Sequence, residues 1–452
     1  MEFGFTAEQE AWRREIQDFL KDNPPEKFPT QSGEDSWGHG AFSKEFVRLL
    51  GQKGWIPLTW PKKYGGAERP NTDLMILFEE LAWARVPWAA GAICWSMANT
   101  ILDMGSEELK QEFLPGIGKG ELITWLAMSE PDAGSDLLAL RTTAVEQDDC
   151  FLVNGQKTWT SGGSFINYID LFARTDLDAP KHKGITELLV PMNLPGISRI
   201  PMIDITGTEA WNDIFFDNVR VPASCVIGEL NKGFYHVVEE LAYERGGMER
   251  LMGNYPLYDG LRRFVVDEKR NGQRLIDDPR VRNAMAELEV DFEVGWLLMY
   301  RAASVMDQGQ PPTVEAAASK VYGTTFEQRL ANVAFTLLGP YGNLTGGQSP
   351  LPADGVAAHS YLASKGYSLQ AGSTEVLKNI IATRGLGLPA ERREYGEEMN
   401  VQLDETQEML RTSARQFLAE TCPLKSVREI RASTAGYSAT LWREMAQLGW
   451  QG

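Results

Sequence analysis

Two short segments, MSEPDAGSD (residues 128–136) and VNGQKTWTSGG (residues 153–163), decide how this sequence is interpreted. The first combines a proline with small residues, and Gly134 lets a backbone come close to a ligand and present N–H groups to it. In the second, Asn154-Gly155 stands between two apolar runs, and Asn-Gly favours a two-residue type I′ turn. The pattern predicts a ligand-binding loop followed by a β-hairpin, although each segment alone is also typical of an ordinary surface loop or turn.

Together the two segments resemble the flavin-binding region of the acyl-CoA dehydrogenase family. In that family a T/S-E-P-x-A-G-S-D loop and a K-x-W-I/T-T/S-x-G-G turn both contact FAD. The stretch GWIPLTWPKKYGG (residues 54–66) is similar to a further segment of the family. The resemblance implies an FAD-dependent enzyme that oxidises an acyl-CoA thioester and passes the electrons to an electron-transfer flavoprotein.

Composition narrows the class of protein independently of any motif. The 452 residues are 43% hydrophobic and 23% charged, which is enough for two or three globular domains. A net charge of −18 disfavours nucleic acid and anionic membrane surfaces as partners. The four cysteines and four histidines show no disulfide or metal-ligand spacing, and neither a signal peptide nor a membrane-spanning apolar run is visible. We therefore expect a cytoplasmic enzyme that has no metal, nucleic-acid or membrane partner.

The periodicity of apolar residues predicts an α+β multidomain fold, in which helical patterns flank a block of strands. The strands are predicted at residues 167–174, 185–191 and 214–221. This order matches the α-β-α architecture of the family. The predicted parts are an N-terminal helical domain (residues 1–120), a β-barrel-like middle domain (121–231), a C-terminal four-helix bundle (232–392), and a linker with a further segment (393–452).

The last segment repeats the start of the chain. Residues 403–423 echo residues 5–25 at a constant offset, and residues 438–450 echo residues 43–55. Two amphipathic helices can agree by chance, but the shared Gly449-Trp450 and Gly54-Trp55 pairs are not required by a helical pattern. We expect the truncated start of a second, fused dehydrogenase module here.

Oxidation of an acyl thioester to its α,β-enoyl form needs a base for the α-proton, a group that polarises the carbonyl, and an acceptor for the β-hydride. The family supplies FAD as the acceptor and a glutamate as the base, either in a late Y-E-G-T loop or on the first helix after the β domain. Here the late loop reads QAGSTE (residues 370–375), so Ala371 stands at the usual glutamate position. Glu244 lies three residues after Leu241 on the apolar stripe of that first helix. The resemblance implies Glu244 as the base, and a buried Glu244–Arg245 ion pair that only orients helices is the alternative.

The resemblance also assigns further contacts to residues of this sequence. A change of side chain leaves a backbone N–H in place, so Ala371 is still expected to donate its N–H to the thioester oxygen. Ser135 and Arg245 are expected on the substrate side. Arg270 is the candidate for the family arginine that grips the FAD of a neighbouring subunit, although the usual R-x-x-F-G is missing. The other residues expected to contact FAD are Leu126, Met128, Ser129, Trp159, Ser161, Ser373 and Glu375.

Two other functions stay open at this point. Since the FAD site of the family straddles two subunits, this chain could be a non-catalytic, FAD-supporting half whose partner module carries the base. It could also be a relative of the flavin oxidases or monooxygenases. A homodimer, a homotetramer or a pairing with a second module is expected. Relatives with this late loop include enzymes that act on bulky, branched or steroid-side-chain thioesters, so the resemblance favours such a substrate.

Overall fold

The structure is a computed structural model of the chain, and it describes most of its residues. Two units are distinguished, Met1–Leu388 and Pro389–Gly452, and each is treated by itself below. The described residues are 4–28, 42–87, 89–162, 166–209, 211–245, 249–344, 352–390, 405–423, 426, 429–430 and 438–448.

The described residues at the start of the first unit form a block of five α-helices, as the periodicity predicts. Helix α1 starts with a capping box, in which Thr6 and Gln9 exchange side-chain and backbone hydrogen bonds. The apolar positions of α1 pack against α3, which is buried along most of its length. The helices are α1 (Ala7–Asp22), α2 (Lys44–Gln52), α3 (Asn71–Trp83), α4 (Ala89–Met104) and α5 (Glu107–Gly118).

The middle of the first unit is a sheet of eight strands. The strand order is β6-β7-β3-β2-β4-β5-β8, and β1 pairs with β4 in parallel. Alternate residues of β7 are buried, as in a strand that covers an apolar core on one face, whereas β4 and β5 are buried along almost their whole length. The strands are β1 (Thr124–Ala127), β2 (Thr143–Gln147), β3 (Cys150–Ser161), β4 (Tyr168–Arg174), β5 (Ile185–Pro191), β6 (Ile197–Met202), β7 (Trp211–Pro222) and β8 (Val226–Ile227).

The predicted hairpin turn at Asn154-Gly155 is wrong. Both residues lie inside the continuous strand β3, where the register with β7 shifts between Val153 and Gly155. The shift is a β-bulge, and the Asn154 Oδ1 accepts a hydrogen bond of 2.9 Å from the Asn218 N–H across it. The actual two-residue turn is Asp148-Asp149, between β2 and β3, and Asp148 takes the positive φ of 49°.

Helices return after the sheet and complete the three-domain architecture. The predicted break at residues 309–312 separates the two longest helices, α9 and α10. One continuous apolar core joins this block to the N-terminal helices. Among the described residues, no helix is long and apolar enough to cross a membrane. The elements are α6 (Gly233–Arg245), α7 (Glu249–Met252), α8 (Tyr255–Asp267), β9 (Lys269–Arg270), β10 (Gln273–Arg274), α9 (Pro279–Asp307), α10 (Thr313–Leu338), α11 (Ala357–Tyr367) and α12 (Thr374–Ile380).

The described part of the second unit includes helices at both positions that the internal repeat predicts. They are α13 (Glu405–Thr421) and α14 (Ala439–Gln447). Helix α14 begins at Ser438, whose side chain accepts a hydrogen bond from the Leu441 N–H. Ser43 does the same for Phe46 at the start of α2. The repeat therefore extends to the capping residue. Gly449-Trp450 lies outside the described residues.

Candidate active site

The two segments that resemble flavin-binding motifs are held together by direct hydrogen bonds. The Thr158 N–H donates to the Ser129 carbonyl at 2.9 Å. The Lys157 ammonium donates to the Met128 carbonyl at 3.1 Å and to Glu130 Oε1 at 2.8 Å. The loop after β1 is thus fixed against the second half of β3.

The ion pair between Lys157 and Glu130 is buried, and both side chains are also hydrogen-bonded to backbone groups. Glu130 accepts two further hydrogen bonds, from the Arg141 N–H at 2.6 Å and the Thr142 N–H at 2.9 Å. Burial opposes ionisation of Glu130, but the charge of Lys157 and the donated hydrogen bonds prevail and lower its pKa. Burial lowers the pKa of Lys157 to about 8, because desolvation outweighs the attraction of Glu130. Near pH 7 the site therefore contains an ammonium–carboxylate pair.

Trp159 combines a strained backbone with an exposed side chain. The register between β3 and β7 shifts a second time between Lys157 and Thr160, and Trp159 takes a left-handed φ of 59°. Its side chain is 60% exposed and makes an edge-to-face contact with Trp211, with ring centroids 6.0 Å apart. Backbone strain of this kind persists where the surrounding structure imposes it, and it is common at ligand sites.

Helix α6 packs on the loop that follows β1. Its apolar positions lie in one cluster with Met128 and with the end of the loop, so the predicted base helix and the predicted flavin loop share a core. Glu244 belongs to the last turn of α6, but the side chains of Glu244 and Arg245 lie outside the described ones. The cluster consists of Ala133, Leu140, Phe172, Ile185 and Val237, with Met128, Leu137, Leu138, Ala139, Phe234, Val238 and Leu241 packed against it.

The late loop is strained and is anchored to helix α10. Ala371 and Gly372 have positive φ values of 52° and 93°, and the buried Lys320 of α10 donates a hydrogen bond of 2.8 Å to the Gly372 carbonyl. Ser373 caps α12 by accepting from the Val376 N–H, so its hydroxyl is engaged within the protein. Glu375 is exposed in the first turn of α12.

The remaining predicted residues are spread over the sheet and the C-terminal helices. Leu126 lies on β1 opposite Asp170, and Ser161 is nearly buried at the end of β3, opposite Trp211. Ser135 is exposed in the loop after β1. Arg270 is exposed on β9, where its guanidinium donates to the Leu337 carbonyl at 2.8 Å. Of the residues predicted to contact FAD, the structure thus brings Met128, Ser129 and Trp159 together, through the hydrogen bonds between the loop after β1 and strand β3.

Sequence reasoning missed a buried acidic cluster beside this site. Asp170, Glu187 and Glu240 are fully buried, and their carboxylate oxygens lie within 4.8 Å of one another. Glu187 also contacts His236 Nδ1 at 3.0 Å. Burial, with the charge of a neighbouring carboxyl, raises the pKa of Asp170 and Glu187 well above ordinary values. An acid inside an apolar strand, as in YIDLF (residues 168–172), was the available signal.

The arrangement has the chemistry that a flavin requires. A flavin is a flat ring system with donors and acceptors along its edges, and it needs an apolar face and a few fixed polar groups. Here an exposed indole ring stands beside a loop whose backbone direction is fixed by Lys157 and Thr158. These residues therefore fit the flavin that the motifs imply.

Comparisons with known proteins cover most of the chain. The N-terminal, middle and C-terminal domains of acyl-CoA dehydrogenase match residues 6–121, 126–219 and 231–386. The acyl-CoA dehydrogenase FadE26 of Mycobacterium tuberculosis is 33% identical over 407 residues, which are 87% of this chain and 100% of the relative.

Solved structures of the same class superpose on this fold. The Tcur3481-Tcur3483 steroid ACAD is 30% identical with a TM-score of 0.76, over 86% of this chain and 100% of that one. The ChsE4-ChsE5 complex from Mycobacterium tuberculosis is 31% identical with a TM-score of 0.73 and the same coverage. The matched domains and the relatives agree, and this chain belongs to the acyl-CoA dehydrogenase family of FAD-dependent oxidoreductases.

Proposed function

We propose that this enzyme removes two hydrogens from an acyl-CoA thioester and yields the α,β-enoyl thioester. Glu244 takes the α-proton, and the Ala371 N–H holds the thioester oxygen. Bound FAD supplies the acceptor for the β-hydride. The electrons then pass to an electron-transfer flavoprotein, which returns the enzyme to its oxidised state.

The packing of α6 on the flavin loop carries this proposal. Val237 and Leu241 of α6 belong to the cluster that contains Met128. Position 244 follows Leu241 by three residues, and residues three apart share one face of a helix. We therefore place the base of the reaction at this position, and a general base works best when its pKa lies near the operating pH.

The late loop supports the role given to Ala371. Two successive left-handed residues set the direction of its peptide groups, and Lys320 holds the second of them through the Gly372 carbonyl. A donor held in place before the reaction stabilises the developing enolate without the cost of reorganisation. The methyl side chain of Ala371 does not alter this backbone donor.

Anaerobic flavin reduction tests the base directly. Glu244→Gln keeps the shape of the side chain but removes the proton acceptor, so substrate-dependent bleaching of the flavin should slow at least a hundredfold. FAD content should be unchanged. Glu229→Gln is the matched control, because Glu229 is exposed just before α6. A Glu244→Gln variant that bleaches as fast as the wild type would remove Glu244 from the mechanism.

For the substrate we propose a bulky, branched or steroid-side-chain acyl-CoA. The support is the likeness to the Tcur3481-Tcur3483 steroid ACAD, at 30% identity over 100% of that chain. A panel of straight, branched and steroid acyl-CoAs, compared by the rate of flavin bleaching, decides the class. Preference for short straight chains would contradict the proposal.

A non-catalytic role as one half of a pair is the second candidate. It is favoured by Ala371 at the usual position of the base and by the ChsE4-ChsE5 relative, which is a complex of two components. The helices α13 and α14, which repeat α1 and α2, point to a fused second module as the other half. Wild-type protein that is yellow but is not bleached by any acyl-CoA would favour this role.

A further inference from the structure

We propose that Lys157 is a positioning residue for the flavin: its buried ammonium group fixes and polarises the Met128–Ser129 peptide, so that the Ser129 N–H is directed toward the flavin ring and the reduction potential of the flavin is raised. This inference rests on the proposed function only for the placement of FAD beside Met128 and Ser129. It concerns a residue for which the flavin motifs name no role.

The geometry of one peptide group is the first step. Lys157 Nζ lies 3.1 Å from the Met128 carbonyl oxygen. No cis peptide occurs among the described residues, and in a trans peptide the N–H points away from the C=O. The Ser129 N–H therefore points away from the ammonium group. Ser129 is partly exposed, so this direction leads out of the core.

The position of the ammonium group is fixed from two sides. Glu130 Oε1 accepts from Lys157 at 2.8 Å, and the Glu130 carboxylate is itself held by the N–H groups of Arg141 and Thr142. A carboxylate with three such donors cannot rotate without losing buried hydrogen bonds. Lys157 consequently has one position, and that position includes the Met128 carbonyl.

Because Lys157 is buried, its charge acts strongly on the Met128 carbonyl group. The side chain of Lys157 is 0% exposed, and a charge that water does not screen interacts more strongly with nearby dipoles. An ammonium group on the carbonyl draws electron density through the peptide, so the Ser129 N–H becomes a stronger donor. A stronger donor favours the reduced flavin, which carries more negative charge than the oxidised form.

The same strand also places the exposed indole. Thr158, the residue after Lys157, donates its N–H to the Ser129 carbonyl at 2.9 Å, and Trp159 follows directly. Ser129 is thus held on both of its peptide groups by consecutive residues of β3. The loop and the Trp159 ring are therefore set relative to each other by Lys157 and Thr158.

The potential of the bound flavin, measured by equilibration with a reference dye and no acyl-CoA, tests the inference. Lys157→Met removes the charge and keeps the length of the side chain. We expect it to shift the two-electron reduction equilibrium about tenfold toward oxidised flavin, or about 30 mV. The double variant Lys157→Met/Glu130→Gln leaves no unpaired carboxylate and should show a smaller shift. Lys183→Met is the control, because Lys183 is exposed in a loop of the same domain.

The pH dependence of the wild-type enzyme gives a second test of the inference, which needs no variant. Glu130 is the charged group that faces Lys157, and the pKa of Lys157 is about 8. The absorption spectrum of the oxidised flavin should change in a step around pH 8. If Lys157→Met proves colourless, this test decides, and a featureless response from pH 6.5 to 9.5 would overturn the inference.

The two proposals fail in different ways. A Lys157→Met variant that keeps its FAD and has the potential of the wild type would overturn the role of Lys157, whatever the substrate is. An enzyme that binds FAD, shows the Lys157 effect and is not bleached by any acyl-CoA would refute the proposed function alone.

Discussion

Helices α1 and α13 have closely similar patterns but opposite environments. Trp12 and Leu20 of α1 are 3% and 8% exposed, whereas Leu410 and Leu418, at the equivalent positions of α13, are 55% and 44% exposed. In the first unit, α3 supplies the contacts: the Trp12 indole donates to the Asp73 carbonyl at 3.0 Å.

The difference separates what local sequence dictates from what packing adds. Periodicity and a serine cap are present in both regions, and both regions form helices there. Burial depends on a partner with a complementary face, and most of the stability of a helix in a protein comes from that packing. Substitutions at equivalent positions should therefore have very unequal effects.

The largest difference is expected between Trp12→Ala and Leu410→Ala. Loss of a buried indole creates a cavity and removes a hydrogen bond, and it should lower the free energy of unfolding by about 3–5 kcal/mol. The exposed Leu410 should contribute less than about 0.5 kcal/mol. The denaturant midpoint of the first unit, followed by tryptophan fluorescence in the full chain, measures the effect of Trp12→Ala, and amide exchange within α13 measures that of Leu410→Ala. Equal effects would show that α13 is packed as tightly as α1.

Arg13 offers the next test, because it pairs with two buried acids of α3. Its guanidinium contacts Glu80 at 2.6 Å and Glu79 at 3.0 Å, and Trp296 and Tyr300 also donate to Glu79. Arg13→Met leaves both carboxylates without their cation. We expect a loss of about 2–3 kcal/mol, below the value for a fully isolated buried charge because Glu79 keeps two donors.

The pH dependence of that loss has a definite sign. Burial, against the attraction of Arg13, raises the pKa of Glu79. Without Arg13 the folded-state pKa rises further, so the stability contributed by protonated Glu79 is present below the unfolded pKa and is lost as pH rises through the folded one. The destabilisation by Arg13→Met should therefore grow from pH 5 to pH 8. Arg14→Met, on the exposed side of α1, should show neither effect.

Much of the fold could be predicted because its signals are local. Thr6 and Gln9 mark the start of α1, and α1 ends at Asp22, just before Pro24-Pro25. The bulge at Asn154-Gly155 could not be predicted from the turn signal. There, pairing with β7 brings Asn218 against Asn154, and Gly155 comes so close to Thr142 that a Cβ would lie 2.5 Å from its hydroxyl oxygen.

In the site, only residues to which a family motif assigns a role could be predicted from the sequence. The motif led to Met128, Ser129 and Trp159, which the structure brings together. It gave no role to Lys157 or Asp170. Whether a charged or acidic side chain is buried, and which group it contacts, depends on the three-dimensional structure. Such residues interrupt an apolar pattern, and the interruption alone does not say which partner accepts them.

The smallest difference between the two regions is expected at the serine caps, where the two regions agree in structure. Ser43 accepts from the Phe46 N–H at 3.4 Å and Ser438 from the Leu441 N–H at 3.3 Å, so each alanine substitution removes a similar hydrogen bond of about 1 kcal/mol. Ser43→Ala should lower the unfolding midpoint of the first unit, since α2 is part of its core. Ser438→Ala should leave that midpoint unchanged and speed amide exchange about fivefold at Leu441 alone. A shift of the first unit's midpoint by Ser438→Ala would mean that α14 contributes to that unit's stability, and the contrast between the two regions would fail.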